Sequence, residues 1–419
     1  MSKKKSIDEI KLSSFPEEID KKTGVKVYGE TSYENMLAVL SQYLHNGQVW
    51  QTDNREEIIS TILDFLERKK SVNPELDFEP SIEFASKVAE RPAQYGLFSD
   101  FYNVPFPNPQ QASFTLIDLF AGIGGIRLPF NELGYRCVFS SEWDKYAQQT
   151  YFSNFGEMPF GDITKESTKK YIPKHFDLLL AGFPCQAFSI MGKMKGFEDV
   201  RGTMFFEVAT ILEQHKPQAI LLENVKQLTT HDHGRTFETI LRILGELGYY
   251  VKWQILNALD FGLPQKRERV IIVGFRTKKR IDEFNFDFKK KPYTLNGVLE
   301  PDETVDHSLF ASERIIEKRK KQTEGKRIFY PSIWHENKAG NVSILDYACA
   351  LRTGASYNYL LVNGKRRPSS RELLRLQGFP DNYRISVSHG EIRRQTGNSV
   401  AIPVIRQIAL KIDSILKQR

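Results

Sequence analysis

From Phe114 onward the chain alternates short apolar runs with amphipathic ones, and this rhythm restricts the fold more than any other feature. Strand candidates are Phe114–Phe120, Cys137–Ser141, Phe176–Ala181, Ala219–Leu222, Val251–Leu256 and Val270–Phe275, with helical runs at Thr203–Gln214 and Thr236–Leu247. Brief strands without a polar face, separated by helices, predict a mostly parallel sheet covered on both sides. After Phe275 the rhythm gives way to irregular, basic, aromatic-bearing sequence containing Arg276-Thr-Lys-Lys-Arg, Lys289-Lys-Lys and Lys318-Arg-Lys-Lys, continuing to about Pro368. Helical periodicity returns at Ser370–Gln377 and from Pro403 to the end, where the last helix is expected to pack back on the sheet.

The first 112 residues read as a separate unit. Helical spacing marks Tyr33–Leu44, Glu56–Arg68 and, more weakly, Ile82–Ala89. Prolines 105, 107 and 109 suggest a stiff linker. This unit holds 13 Lys+Arg against 18 Asp+Glu, whereas the remainder holds 46 against 34. A basic body suits a polyanion, with a merely solvated surface as the alternative, and the acidic front speaks against a dominant phosphate-binding role there. The expected divisions are 1–112 (helical extension and linker), 113–275 (catalytic, cofactor-binding), 276–385 (target recognition) and 386–419 (return to the catalytic domain). Three distant cysteines, with no C-x-x-C pair, argue for a reducing compartment and against both a disulfide framework and a zinc site. Neither a secretory signal nor a membrane span is expected.

Several motifs fall where strands end. Gly182-Phe-Pro-Cys-Gln sets the thiol of Cys185 in a tight turn after an apolar run. A cysteine there is either a small apolar filler or a nucleophile presented to a crevice. Phe120-Ala-Gly-Ile-Gly-Gly follows the first strand, and Gly122, Gly124 and Gly125 would let a ligand approach the backbone, although the spacing is not the dinucleotide fingerprint. Glu142 ends the second strand, about where an acid could hold ribose hydroxyls, and Asp162 precedes the third; each is otherwise an ordinary loop acid. Glu223 follows Ala219–Leu222 and should emerge at the same sheet edge as Cys185. Gln265-Lys-Arg-Glu-Arg is a charge run whose usual fate is solvation.

Taken in order, Phe120-Ala-Gly-Ile-Gly-Gly, Gly182-Phe-Pro-Cys-Gln, Glu223-Asn-Val, Gln265-Lys-Arg-Glu-Arg, Arg371-Glu-x4-Gln-Gly-Phe-Pro and Gly397-Asn-Ser-Val resemble the motifs of DNA (cytosine-5) methyltransferases. Glu142-Trp-Asp-Lys-Tyr-Ala, Gly192-Lys-x-Lys-Gly-Phe-Glu-Asp and Asn257-Ala-Leu-Asp are similar to the bacterial restriction-modification (HhaI-like) type. The likeness covers roughly residues 114–405.

The resemblance implies an α/β fold: a class I S-adenosylmethionine-dependent methyltransferase (Rossmann-like) sheet domain, a small, mostly β or irregular target-recognition domain and the N-terminal helical extension. It implies S-adenosyl-L-methionine and no metal. Phe120 would stack on the adenine, Glu142 with Trp143 would hold the ribose end, and Asp162 with Ile163 would frame the adenine. Pro184, Asn398 and Val400 would complete the pocket.

Addition of the Cys185 thiolate to C6 of a cytosine would make C5 able to take a methyl group, and Glu223 would neutralise charge at N3. Arg269, and beside it Arg267, would support the base electrostatically. The base must first leave the duplex. Gln186, Ser189, Met191 and Arg201 lie on a stretch rich in small residues that suits a loop closing over DNA, with Met191 as an apolar wedge. Arg352, Thr353 and Asn358 are the expected contacts of the recognition region, or else parts of a structural hairpin.

The partners implied are double-stranded DNA and a cognate restriction endonuclease, for a monomer acting in the bacterial cytoplasm. The rivals are a tRNA cytosine-5 methyltransferase, a catalytically silent DNA-binding regulator and a dinucleotide-dependent oxidoreductase.

Overall fold

The computed structural model describes residues 17–19, 26–28, 31–46, 55–90, 92, 97–184 and 203–418. After three short antiparallel strands (Glu17–Ile19, Lys26–Tyr28 and Thr31–Ser32), the N-terminal unit forms helices α1 (Tyr33–Asn46), α2 (Arg55–Val72) and α3 (Ile82–Glu90). The catalytic body follows as β1 (Thr115–Leu119), α4 (Arg127–Glu132), β2 (Arg136–Ser141), α5 (Lys145–Phe155), β3 (Leu178–Ala181), α6 (Met204–His215), β4 (Ala219–Val225), α7 (Arg235–Glu246), β5 (Tyr250–Asn257) and β6 (Glu268–Phe275).

These six strands make one sheet in the order β2-β1-β3-β4-β6-β5. The first four run parallel, and β6 runs antiparallel to both its neighbours. The expected mostly parallel sheet is therefore present with one reversed strand. Only a short connection separates β5 from β6, and without a helical crossover the chain returns antiparallel.

Alternate residues of each strand feed opposite cores, as the two-residue period requires. Ile117, Leu119, Leu179, Ile220, Leu222, Val270 and Ile272 pack with α6 and α7. Leu116, Leu178, Leu180, Leu221, Ile271 and Val273 face the last helix, α11 (Ile402–Leu416), through Ile405, Ile408, Ala409 and Ile412. That helix does return to the sheet.

Between β6 and α11 come α8 (Glu313–Gln322), β7 (Ile333–Glu336), β8 (Val342–Leu345), β9 (Leu360–Val362), α9 (Ser370–Gln377) and α10 (His389–Asn398). A three-stranded sheet in the order β8-β7-β9 is the centre of the second lobe. Lys318-Arg-Lys-Lys, expected in irregular chain, lies on α8: Ile315 and Ile316 turn to Trp334, and Arg319 is buried against Glu336 at 2.6 Å. Burial of one face makes this basic run helical, so the run is not simply a solvated strip. The boundary between lobes is also less clean than a linker would give. Ala121, Ile123, Tyr151 and Phe155 share one core with Leu295, Ile333, Leu351 and Leu374.

The N-terminal unit, whose acidic charge favours packing on the catalytic domain or contact with a partner over phosphate binding, does pack on the catalytic sheet. Ala38 and Val39 of α1 enter the core of the catalytic sheet. Ser41 Oγ accepts the Met158 N–H at 3.0 Å, and Asn46 Nδ2 donates to the Cys137 carbonyl at 3.0 Å. The proline-rich linker is fastened too: Phe106 N donates to Asn154 O, and Asn108 Oδ1 accepts from Cys137 N and from Arg127.

Arg127 lies under this seam, fully buried, with its guanidinium paired to Glu157 at 2.8 and 3.1 Å and stacked 4.4 Å from the Phe155 ring centre. Its neighbour Tyr151 reaches Asp118 at the end of β1, just before the glycine turn. Burial pushes the Asp118 carboxyl up to about 8 against the pull of Arg127.

Glu157→Gln should strand a buried cation and lower the unfolding free energy by about 3–5 kcal/mol in a urea titration; a loss below about 1 kcal/mol would show that water solvates Arg127. Asp118 takes up a proton more readily folded than unfolded, so it stabilises the fold below the ordinary carboxylate range and that stability is lost as pH rises towards about 8. The slope approaches about 1.4 kcal/mol per pH unit. Asp118→Asn should remove this decline between pH 5 and 8, and parallel stability curves for the two proteins would contradict the assignment.

Candidate active site

The carboxyl ends of β1 to β4 meet at one edge of the sheet, and most of the expected residues assemble there. After β1, Phe120, Gly122 and Gly124 all take positive φ, which bends the chain sharply into the turn. For Phe120, with φ of 54°, that conformation is strained, as backbone at ligand sites often is. A Cβ added to Gly122 would meet nothing within 4 Å, so open space lies over the turn.

The Glu142 carboxylate is buried and clasps this turn, accepting Gly122 N–H at 2.8 Å and Asp144 N–H at 2.9 Å. Burial raises its pKa, while those two donors oppose the shift. Trp143 beside it is 83% exposed, free to cover whatever enters the crevice. Asp162 Oδ1 is engaged locally, by Thr164 N–H at 2.9 Å and Thr164 Oγ at 2.8 Å, and Ile163 is buried in the sheet core.

The far end of the chain closes the same crevice. A Cβ on Gly125 would come within 2.9 Å of Val400 and 2.8 Å of Ser399 Oγ, so only glycine admits this approach. Asn398 is exposed at the end of α10, and the buried Ser399 hydroxyl has no hydrogen-bond partner among the described residues. Open space over Gly122, a buried acid at the end of the second strand, an exposed indole and an unsatisfied hydroxyl together fit a nucleoside-bearing methyl donor such as S-adenosyl-L-methionine.

At the reacting end, the turn after β3 runs through Gly182, Phe183 and the exposed Pro184. Asn224 Nδ2 donates to the Phe183 carbonyl at 2.8 Å, and a Cβ on Gly182 would lie 3.8 Å from Glu223 Oε2. The turn that leads to residue 185 is thus fastened beside Glu223. Cys185, Gln186, Ser189, Met191 and Arg201 lie outside the described residues. Glu223 is buried and forms an ion pair with Arg269 at 3.0 Å, without hydrogen-bond alignment. Its Oε1 therefore has no hydrogen-bond partner among the described residues. Burial raises the Glu223 pKa, opposed by Arg269 and Arg267. A buried acid of raised pKa is equipped to give a proton to a ring nitrogen bound beside it.

Arg267, expected beside Arg269 at the reacting base, is directed elsewhere. Its guanidinium is buried among the carbonyls of Leu351 (3.2 Å), Gly397 (3.1 Å) and Ser399. Burial and the nearby Arg269 push its pKa down to about 9, and it stays charged at neutral pH. It joins segments through main-chain carbonyls and acts on Glu223 only through its charge.

In the second lobe Arg352 and Thr353 are exposed. Asn358 is committed internally, accepting Arg367 at its side chain (3.1 Å) and Arg319 at its carbonyl (2.8 Å), which leaves Oδ1 less free for a base edge than expected. Asn224 was missed as a site residue; its place inside Glu223-Asn-Val was the only available signal, since its partner is a main-chain group 41 positions away.

An α/β sheet with a glycine turn after its first strand and buried acids at the same edge is the fold of class I methyltransferases. Residues 114–414 match the family of C-5 cytosine-specific DNA methylases, and the chain belongs to that family. The Type II methyltransferase M.HaeII of Haemophilus aegyptius is 56% identical over 299 residues, covering 71% of this chain and 92% of that protein. M.HhaI of Haemophilus parahaemolyticus is 41% identical over 336 residues, covering 75% and 98%. Among solved structures, Dnmt2 of S. pombe superposes with a TM-score of 0.53 at 20% identity, over 72% of this chain and 99% of that one, which speaks to the fold.

Gly397 packs so closely on the second lobe that a Cβ would lie 2.6 Å from Thr353 N and 2.9 Å from the Arg352 carbonyl carbon. Main chain cannot yield as a side chain does. Gly397→Ala should therefore cost about 1–3 kcal/mol in denaturant unfolding, and a change within about 0.5 kcal/mol would show that the lobes part freely.

Proposed function

We propose that Cys185 is the nucleophile of a site-specific DNA (cytosine-5) methyltransferase that uses S-adenosyl-L-methionine. The observation that supports this reading is the tie between the Gly182–Pro184 turn and the Glu223–Asn224 strand end, which fastens the described part of the turn beside a buried acid of raised pKa.

In this mechanism the Cys185 thiolate adds to C6 of an extruded cytosine while protonated Glu223 donates to N3. Ring electrons then reach C5, which becomes the methyl acceptor. S-adenosyl-L-methionine supplies an electrophilic methyl group when bound. Phe120, the Gly122–Gly125 turn, Glu142, Trp143, Asp162, Ile163, Pro184, Asn398 and Val400 would hold it. Arg269 keeps Glu223 oriented and adds positive charge near the pyrimidine. Loss of the C5 proton and expulsion of Cys185 restore the aromatic ring, and Glu223 recovers the N3 proton.

Gln186, Ser189, Met191 and Arg201 serve base extrusion, and Arg352 and Thr353 contact the duplex. Relatives named as Type II methyltransferases support a protective role beside a cognate endonuclease. The reading is completed by a monomer acting in the bacterial cytoplasm. No metal takes part in these steps.

Bisulfite sequencing of DNA from cells expressing the protein should reveal modified cytosine in one short sequence context. Cys185→Ser should reduce that methylation by at least about a thousandfold while the variant still binds duplex DNA. Wild-type methylation by Cys185→Ser would eliminate the proposed nucleophile.

A further inference from the structure

Away from the catalytic edge, three arginines from separate stretches converge on one surface pocket whose walls include Arg352, Tyr357, Tyr359, Arg367 and Arg393. The Arg367 guanidinium lies 4.2 Å from the Tyr357 ring centre and that of Arg393 4.6 Å from it, so the two charges are within about 9 Å of each other, inside one screening length. Arg352 covers Tyr359 at 5.2 Å.

Adjacent arginines are neutralised: Arg394 by Asp144 and Glu391, and Arg366 by Asp302 and Glu372. Among the described residues, by contrast, Arg352, Arg367 and Arg393 have no carboxylate partner. Arg367 is held only by neutral oxygens, those of Asn358, Ser308 and Phe310. Arg393 makes a single long contact, 3.4 Å, to the Ser356 carbonyl. Tyr357 is 46% exposed between them and the solvent. The nearby His389 imidazole is held below its ordinary pKa by burial and by Arg393 and Arg367, as uncompensated positive charge requires.

We propose that this pocket is a clamp for a phosphodiester of the DNA backbone, an inference resting on the chain acting on duplex DNA. Arg393 and Arg352 donate to the phosphate oxygens, Tyr357 is the platform on which Arg393 is held, and Arg367 fixes that platform from within. Forked, delocalised guanidinium groups match phosphate oxygens, and the lack of acids leaves the charge to be satisfied by the ligand. The clamp sets register and does not read sequence, as backbone contacts do. It also sits on the joint between lobes, since α10 carries Arg393 and, four residues on, the Gly397 that packs on the Arg352–Thr353 backbone.

The test is binding of the full chain to two fluorescent duplexes of unrelated sequence over a salt series. Arg393→Gln should weaken both equally, by several-fold, and make the slope of log affinity against log salt shallower by about one phosphate contact. Arg393→Lys should keep the wild-type slope. S-adenosyl-L-methionine binding by calorimetry should be unchanged in both variants, which guards against a misfolded α10.

An unaltered slope in Arg393→Gln, or a loss confined to one duplex sequence, overturns the clamp; so does a slope change seen only on duplex RNA, which would assign the pocket to RNA. Wild-type protein that binds with the expected slope yet leaves DNA unmethylated would sink the catalytic proposal and leave the clamp standing.

Discussion

The buried Arg267 guanidinium is the contact on which the architecture of the active cleft depends. It gathers carbonyls from Leu351 in the second lobe and from Gly397 and Ser399 before the last helix, binding to the β6 end stretches of chain up to 132 positions away. One charge shared among main-chain oxygens stays solvated without water, whereas removing it would leave several acceptors unsatisfied in the interior. With the joint held, Val400 and Ser399 press on the glycine turn and Gly397 on the second lobe. A crevice made from both ends of the chain follows from that single clasp.

Two further buried acids work in opposite senses around the crevice. Glu142 spends both oxygens on the main chain, so it stabilises the shape of the cofactor end. Glu223 instead faces a side chain: its buried Oε1 lies 3.0 Å from Arg269 without an aligned hydrogen bond, so its charge is only partly compensated and burial raises its pKa. Behind them, the Arg127–Glu157 pair and the docked α1 brace the strand ends from the opposite side. The N-terminal unit lies outside the family match, and its contacts give it a supporting role in the catalytic body.

The central strands were legible because a buried strand has to be apolar throughout, and β5, an edge strand with a partly exposed face, was legible from its shorter apolar run. The site residues at strand ends were legible for a related reason: a polar residue or glycine straight after an apolar run has few structural excuses. Helices α5, α8 and α10 were not legible. Their exposed faces are highly polar, and the apolar contacts that make them helical come from distant segments, such as Trp334 against Ile315. Arg267 looked like its neighbours in a charge run, since nothing local distinguishes a buried guanidinium from a solvated one.

The order of residues by itself determined the fold class, the family and the order of its motifs from Phe120 to Gly397. Only the tertiary structure decided that β6 reverses, that Arg267 is a clasp and Arg269 the partner of Glu223, that Asn224 fastens the turn after β3, and that α1 braces the sheet. Reactivity and periodicity are local properties that a short stretch of chain carries with it. Burial and pairing depend on groups brought together from far apart, and they exist only once the chain has closed on itself.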